Sequence, residues 1–146
     1  MIVRQHHRSA ESATSITAAI REFFPESRIA EEDYASLVAS MPGADPDDRH
    51  HMAAAISGRA RMLVTWNLAD FPAEPLAALG LRVVDPNQYL CELLDQFPQE
   101  VTATVARLAG EKRRPPKTPT DLANDLAKVG VETFADRLQA ALGHAG

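Results

Sequence analysis

Two stretches decide the fold of this chain, DPDDRHHMAAAI at residues 45–56 and MLVTWNLADFP at residues 62–72. The first carries strong helix-start signals, because Asp45 can serve as the N-cap, Pro46 can take the first helical position and two more aspartates follow in the first turn. The second is an apolar run that ends abruptly in Thr, Asn and Asp. The pair predicts a helix, then a strand over Met62–Trp66, then a polar turn.

The start of this helix and the end of this strand are expected at the same edge of a sheet. In a parallel α/β unit a helix runs antiparallel to the strand that follows it, and open α/β sheets bind their ligands at the carboxyl edge of the strands. The predicted helix is about 18 Å long and the strand spans about 16 Å. We therefore expect Asp48 to approach Asn67 and Asp70, with Thr65 as a further oxygen donor.

Helical phase distinguishes the aspartates at the start of the helix. Asp48 shares a face with Met52, Ala55 and Ile56, whereas Asp47 shares a face with His51. A carboxylate at the end of a buried stripe needs a partner, and a divalent cation such as magnesium or manganese accepts such oxygen ligands. The alternative is that these aspartates only cap the helix and favour its dipole. The residues alone leave both readings open.

The remaining pattern alternates helices with short apolar strands up to residue 84 and is helical afterwards. Up to residue 84, the predicted helices run from Ser12 to the proline at 25, over Glu31–Met41, from Pro46 to an end at Gly58, and over Glu74–Leu79. The further predicted strands in this part are Ser27–Ala30 and Leu81–Val84. After it, helices are predicted over Asn87–Gln96, from Pro98 to Gly110, from a cap at Thr118 to Gly130, and through Phe134, Leu138 and Leu142. This order predicts an α/β fold with a short parallel sheet, followed by a C-terminal helical extension.

Composition limits the classes of function. The chain has 146 residues, a net charge of −5 and one cysteine, which is typical of a single soluble domain without a general electrostatic footprint for nucleic acid. The lone Cys91 excludes an internal disulfide and is predicted to be a buried apolar residue. No signal peptide or membrane-spanning run is recognised, so we expect a cytoplasmic protein.

The two stretches resemble the second half of a PIN domain, and most of all the VapC-like toxins of prokaryotic toxin–antitoxin pairs. The resemblance rests on Asp-Asp-Arg-His followed by Met-Ala-Ala-Ala-Ile, and on Leu-Val-Thr-Trp-Asn-Leu-Ala-Asp-Phe-Pro, in the correct order and at the correct spacing. It covers roughly residues 16–94, and the tail resembles the helical extension of one subgroup. The implied architecture is an incomplete three-layer PIN-like domain over residues 1–96 and a helical extension over residues 97–146.

The resemblance implies a toxin-type endoribonuclease that depends on magnesium or manganese. It assigns Asp48 and Asp70 as catalytic residues, and these two with Asn67 as the metal ligands. Three arginines near the expected cleft, Arg49, Arg59 and Arg61, are the candidates for holding RNA. The implied partners are an RNA substrate and an antitoxin protein, with a second protomer as a further candidate and no membrane.

One departure from the family pattern concerns the start of the chain. PIN domains begin with a strand ending in an aspartate and a helix carrying a glutamate, but Met1–Arg4 has no following aspartate and neither Glu11 nor Glu22 lies in the family's context. We therefore expect the first strand and helix to be missing, the sheet to expose unpaired edges, and catalysis to be impaired. The alternatives are a non-catalytic remnant that binds an antitoxin or another protomer, and a helical interaction module whose aspartates are only caps.

Overall fold

The computed structural model describes residues 24–145, together with Ala18, Ala19 and Glu22. The helix predicted from Ser12 and the N-terminal segment fall largely outside these residues. The chain divides into two compact units, residues 1–59 and residues 60–146. No helix within the described ranges is long and apolar enough to cross a membrane.

The first unit is built around helix α2, which follows a short helix α1 over Glu31–Tyr34 and covers Pro46–Ser57. The backbone N–H of Asp47 donates to Asp45 Oδ1 at 2.9 Å, so the predicted N-cap is confirmed and one free amide of the first turn is satisfied. The predicted end at Gly58 is also confirmed. A Cβ on Gly58 would lie 2.3 Å from Ile29 Cδ1, so the glycine leaves room for that side chain at the end of the helix.

Two predictions in this unit are wrong. Residues 25–27 form a 3-10 turn and residues 28–30 stay extended without pairing, so the predicted strand over Ser27–Ala30 does not form within the described residues. An extended segment becomes a strand only when a neighbour completes its hydrogen bonds. The helix predicted over Glu31–Met41 splits into α1 and a 3-10 segment over Ala35–Ser40. Its start lacks a side-chain cap at Ala30, and Tyr34 departs from helical angles at φ −122°.

The second unit begins with two parallel strands, β1 over Met62–Val64 and β2 over Arg82–Val84, joined by helix α3 over Ala73–Ala78. Met62 pairs with Arg82 and Val64 with Val84. Both strands are shorter than predicted, but the strand–helix–strand order is confirmed. Two further amide hydrogen bonds, Arg82 N to Arg61 O and Thr65 N to Val84 O, both 2.9 Å, extend the pairing at either end.

Four helices complete the second unit, and the first three begin close to where proline or a cap residue predicts them. They are α4 over Pro86–Gln96, α5 over Pro98–Gly110, α6 over Pro119–Lys128 and α7 over Glu132–Ala145. A reciprocal capping box starts α6, in which Thr118 Oγ1 accepts from Asp121 N at 3.1 Å and Asp121 Oδ2 accepts from Thr118 N at 2.8 Å. The side chain of Asn87 accepts from Phe134 N at 3.0 Å and so connects the start of α4 to the start of α7.

The helices share one hydrophobic core, whose buried members are Cys91, Leu94, Val105, Ala123, Val131, Phe134 and Leu138. Cys91 is buried and free, as predicted, and burial raises the pKa of its thiol. Because α4 contributes two of these residues, it packs with the helices that follow it. The predicted domain boundary after residue 96 stays a prediction. The α/β order followed by a helical C-terminal region is confirmed.

The side chain of Leu138 is completely buried in this core. We expect Leu138→Ala to lower the free energy of unfolding by about 2–5 kcal/mol, because it removes apolar contacts and leaves a cavity. Urea denaturation followed by the helical circular dichroism measures this loss. Leu108→Ala is the matched control, since Leu108 is 39% exposed in α5. An equal loss in both variants would contradict the assignment of this core.

An ion pair connects β2 to α4. The Arg82 guanidinium donates to both carboxylate oxygens of Glu92, and this hydrogen bond holds the pKa of Glu92 below its usual value. The contribution to stability is therefore present above the ordinary carboxyl pKa and is lost as the pH falls through the lowered value. This contribution is small, because the side chains of Arg82 and Glu92 are 50% and 30% exposed to solvent.

We expect Arg82→Ala to raise the pKa of Glu92 towards its ordinary value, because the charged form loses its hydrogen-bond donor. An NMR pH titration of the Glu92 side chain measures the change. Arg107→Ala removes a guanidinium that pairs with Glu111 instead, and should leave the Glu92 titration as it is. An unchanged Glu92 midpoint in Arg82→Ala would show that the ion pair does not form in solution.

Candidate metal and RNA site

Asp48 lies in the first turn of α2. Its surroundings agree with the prediction that it shares the buried face of the helix with Met52. It is half-buried, and Met52, one turn further along, is completely buried. Asp47 and His51 are exposed on the neighbouring face. Since Asp45 is occupied as the N-cap, Asp48 is the aspartate of the three that stands at the end of a buried stripe.

Asn67 and Asp70 lie together in the turn that follows β1. The N–H of Asn67 donates to Thr65 Oγ1 at 3.1 Å, and the N–H of Asp70 donates to the Asn67 carbonyl at 3.1 Å. Both side chains are exposed. Phe71, directly after the turn, is only 6% exposed and anchors it in the second unit. The turn therefore presents an amide and a carboxylate to solvent from a hydrogen-bonded backbone.

Trp66 packs at the edge of the second unit. Its side chain is 55% exposed, while the edge of its six-membered ring lies against Gly130, which follows α6. The sequence predicts that α6 ends at Gly130, and the helix does end just before it. Gly130 has a φ of +109°, a conformation that glycine adopts readily. No signal in the sequence indicates the contact with Trp66.

The three arginines have different environments. Arg49 is half-buried, and its Nε donates to the Gly43 carbonyl at 2.7 Å. Arg59 and Arg61 are exposed, and Arg59 adopts a left-handed backbone conformation at φ +57°. Arg49 therefore has an internal structural contact, whereas the other two present their charge to solvent.

The donor chemistry suits a hard cation, since Asp48, Asn67 and Asp70 offer carboxylate and amide oxygens. They belong to different compact units, because Asp48 precedes residue 60 and the turn follows it. Within either unit, the described residues contain no group of three or more His, Cys, Asp or Glu that could hold a metal ion. The assignment of these three residues as ligands stays a prediction.

Comparison with known proteins identifies relatives. A family model described as the VapC50 C-terminal domain matches residues 86–140, a range that begins at the first residue of α4. A Mycobacterium tuberculosis protein named "Putative ribonuclease VapC50" is 32% identical over 95 residues, which is 65% of this chain. These matches support a relationship of this chain to the VapC-like toxins. The resemblance predicted from its two motifs is confirmed.

This VapC-like chain spans about half the length of the relative that it matches, since the similarity covers 56% of the mycobacterial protein. No solved structure matches the chain described here. The family match starts where α4 starts, in agreement with the packing of α4 among the C-terminal helices.

The turn after β1 depends on the hydroxyl of Thr65. We expect Thr65→Val to speed hydrogen exchange of the Asn67 amide, because that N–H loses its acceptor while the pairing of Thr65 N with Val84 O is retained. Exchange monitored by NMR measures the effect. Thr104→Val is the control, since the Thr104 hydroxyl donates to a carbonyl within α5. Equal exchange of Asn67 in the wild-type chain and in Thr65→Val would mean that the hydroxyl does not hold the turn.

Proposed function

We propose that this VapC-like chain carries the site of a toxin-type, metal-dependent endoribonuclease that acts in the cytoplasm. The observation that carries the proposal is the environment of Asp48, which is half-buried one turn before the completely buried Met52. A capping role alone does not require this position, since Asp45 already caps the helix. The likeness to a mycobacterial protein named as a ribonuclease supports the same activity.

Asp48, Asn67 and Asp70 are proposed to bind Mg²⁺ or Mn²⁺ through oxygen atoms, with the two aspartates as the catalytic residues. A divalent cation supplies charge neutralisation at the scissile phosphate and lowers the pKa of an attacking water. The side chains contribute metal affinity and orientation. Because the proposed set has only two carboxylates, we expect weak cleavage, so metal binding is the primary readout.

RNA is proposed to be held by Arg59 and Arg61, which are exposed, with Arg49 as a contributor limited by its bond to Gly43. Local cations are needed because the chain has a net charge of −5 and repels a polyanion as a whole. The proposed protein partner is an antitoxin. A second protomer of this chain is a further proposed partner.

A non-catalytic remnant that binds an antitoxin or another protomer is the second candidate. An apolar groove of about 330 Å³ between α5 and α6 favours it, with Val105, Leu122 and Leu126 among its lining residues. Two hydrophobic side chains at this groove are exposed, Leu108 at 39% and Val129 at 66%. Exposed apolar patches of this kind are typical of protein-binding surfaces. This candidate predicts no Mn²⁺ binding that depends on Asp48.

A Mn²⁺ titration of the ¹⁵N-labelled full chain separates the two candidates. Paramagnetic broadening is expected for the amides of Asp48, Asn67 and Asp70 at the same Mn²⁺ concentration. Asp48→Asn and Asp70→Asn should each weaken Mn²⁺ binding by at least about tenfold, because losing even an outer-shell partner of a metal ligand costs that much. RNA cleavage in Mn²⁺ should fall in the same two variants.

Asp47→Asn is the matched control, since Asp47 lies in the same turn of α2 but is exposed. It removes the same charge and should leave Mn²⁺ binding unchanged. Broadening confined to one of the two stretches, or an equal loss in the Asp47 and Asp48 variants, would reject the proposed ligand set and favour the non-catalytic candidate.

A further inference from the structure

A contact within the second unit joins the proposed site to the C-terminal helices. A Cβ placed on Gly130 would lie 3.3 Å from Trp66 Cη2 and 3.6 Å from Cζ3. The indole edge therefore lies beside Gly130 in the turn between α6 and α7, and a Cβ there would force the ring to move by a few tenths of an ångström. Trp66 stands directly before Asn67 in the turn that presents Asn67 and Asp70.

The helical side of this contact is fixed. Gly130 N donates to Ala127 O at 3.2 Å, and Val131 N donates to Leu126 O at 3.3 Å. Val131 is 3% exposed and belongs to the same core as Leu138. Because buried cores are close-packed, Gly130 lies on a platform that the packing of α6 and α7 holds in place.

The other side of the contact is a short exposed turn. Its backbone is tied at Thr65 by a 2.9 Å bond to the Val84 carbonyl and at the far end by the buried Phe71. Between these points Trp66, Asn67 and Leu68 are all exposed. Trp66 contributes a large, rigid ring there, and that ring lies against Gly130.

We propose that Trp66 and Gly130 are positioning residues, through which the C-terminal helical core sets the geometry of the turn that carries Asn67 and Asp70. The effect of this contact on catalysis rests on the proposed function. Its effect on the placement of the turn does not depend on that function. The helices matched by the VapC50 C-terminal domain then form part of the working site. A displacement of about 1 Å in such a site can lower a rate by about a hundredfold.

A pair of glycine variants separates the contact from backbone strain. Gly130→Ala introduces a Cβ against Trp66, while Gly80→Ala, the control, changes a glycine with φ +83° whose added Cβ would have nothing within 4 Å. Both variants impose alanine on a left-handed conformation. Only Gly130→Ala is expected to shift the Asn67 and Asp70 amide resonances and the fluorescence of Trp66, which is the chain's single tryptophan.

Trp66→Leu provides a second variant without backbone strain, and it remains informative if Gly130→Ala does not fold. It shortens the side chain that reaches Gly130, and should shift the same two amide resonances. In a chain that binds Mn²⁺, Gly130→Ala and Trp66→Leu should weaken that binding by about tenfold, while Gly80→Ala should not.

Two results would overturn the positioning role. One is that Trp66→Leu leaves the Asn67 and Asp70 amides unmoved; the other is that Gly130→Ala and Gly80→Ala change them equally. A wild-type chain that binds no Mn²⁺ would instead reject the proposed function, and the amide shifts would still decide whether the helical core positions the turn.

Discussion

Two parallel strands of three residues cannot support themselves in water, and the second unit is built around that constraint. The pair β1 and β2 is stabilised by buried neighbours, with Leu76 of α3, Leu81 and Val84 almost completely removed from solvent. The Arg82–Glu92 ion pair adds a connection from β2 to α4. The polar turn that follows β1 depends on this small sheet being held by helices.

The proposed ligands are positioned by two different kinds of interaction. Asp48 depends on local physics, because a proline, an N-cap and helical phase together place it one turn before a buried methionine. Asn67 and Asp70 depend on a hydrogen-bonded turn whose backbone is tied to β2 and whose tryptophan rests on Gly130. A change in the distant helices can therefore alter the second pair without affecting Asp48.

The C-terminal helices are the part of the chain that matches a VapC family model, and they also contact the turn after β1. The family match covers residues 86–140 and so includes α4 and Gly130. These helices build a core of their own, and they also supply the surface on which Trp66 packs. A segment that looks like an extension in the sequence is thus in contact with the turn that carries the proposed site, and it also bears an exposed apolar groove.

Features that depend on neighbours a few residues apart could be predicted from the sequence. The cap at Asp45, the proline starts of α4, α5 and α6, the capping box at Thr118 and the phase of Asp48 were all predictable, because each is an interaction within one helical turn. The strand predicted over Ser27–Ala30 does not form, and the Trp66–Gly130 contact was not predicted, because both depend on tertiary structure. Pairing partners and packing surfaces come from residues distant in the chain, so the local pattern carries no record of them.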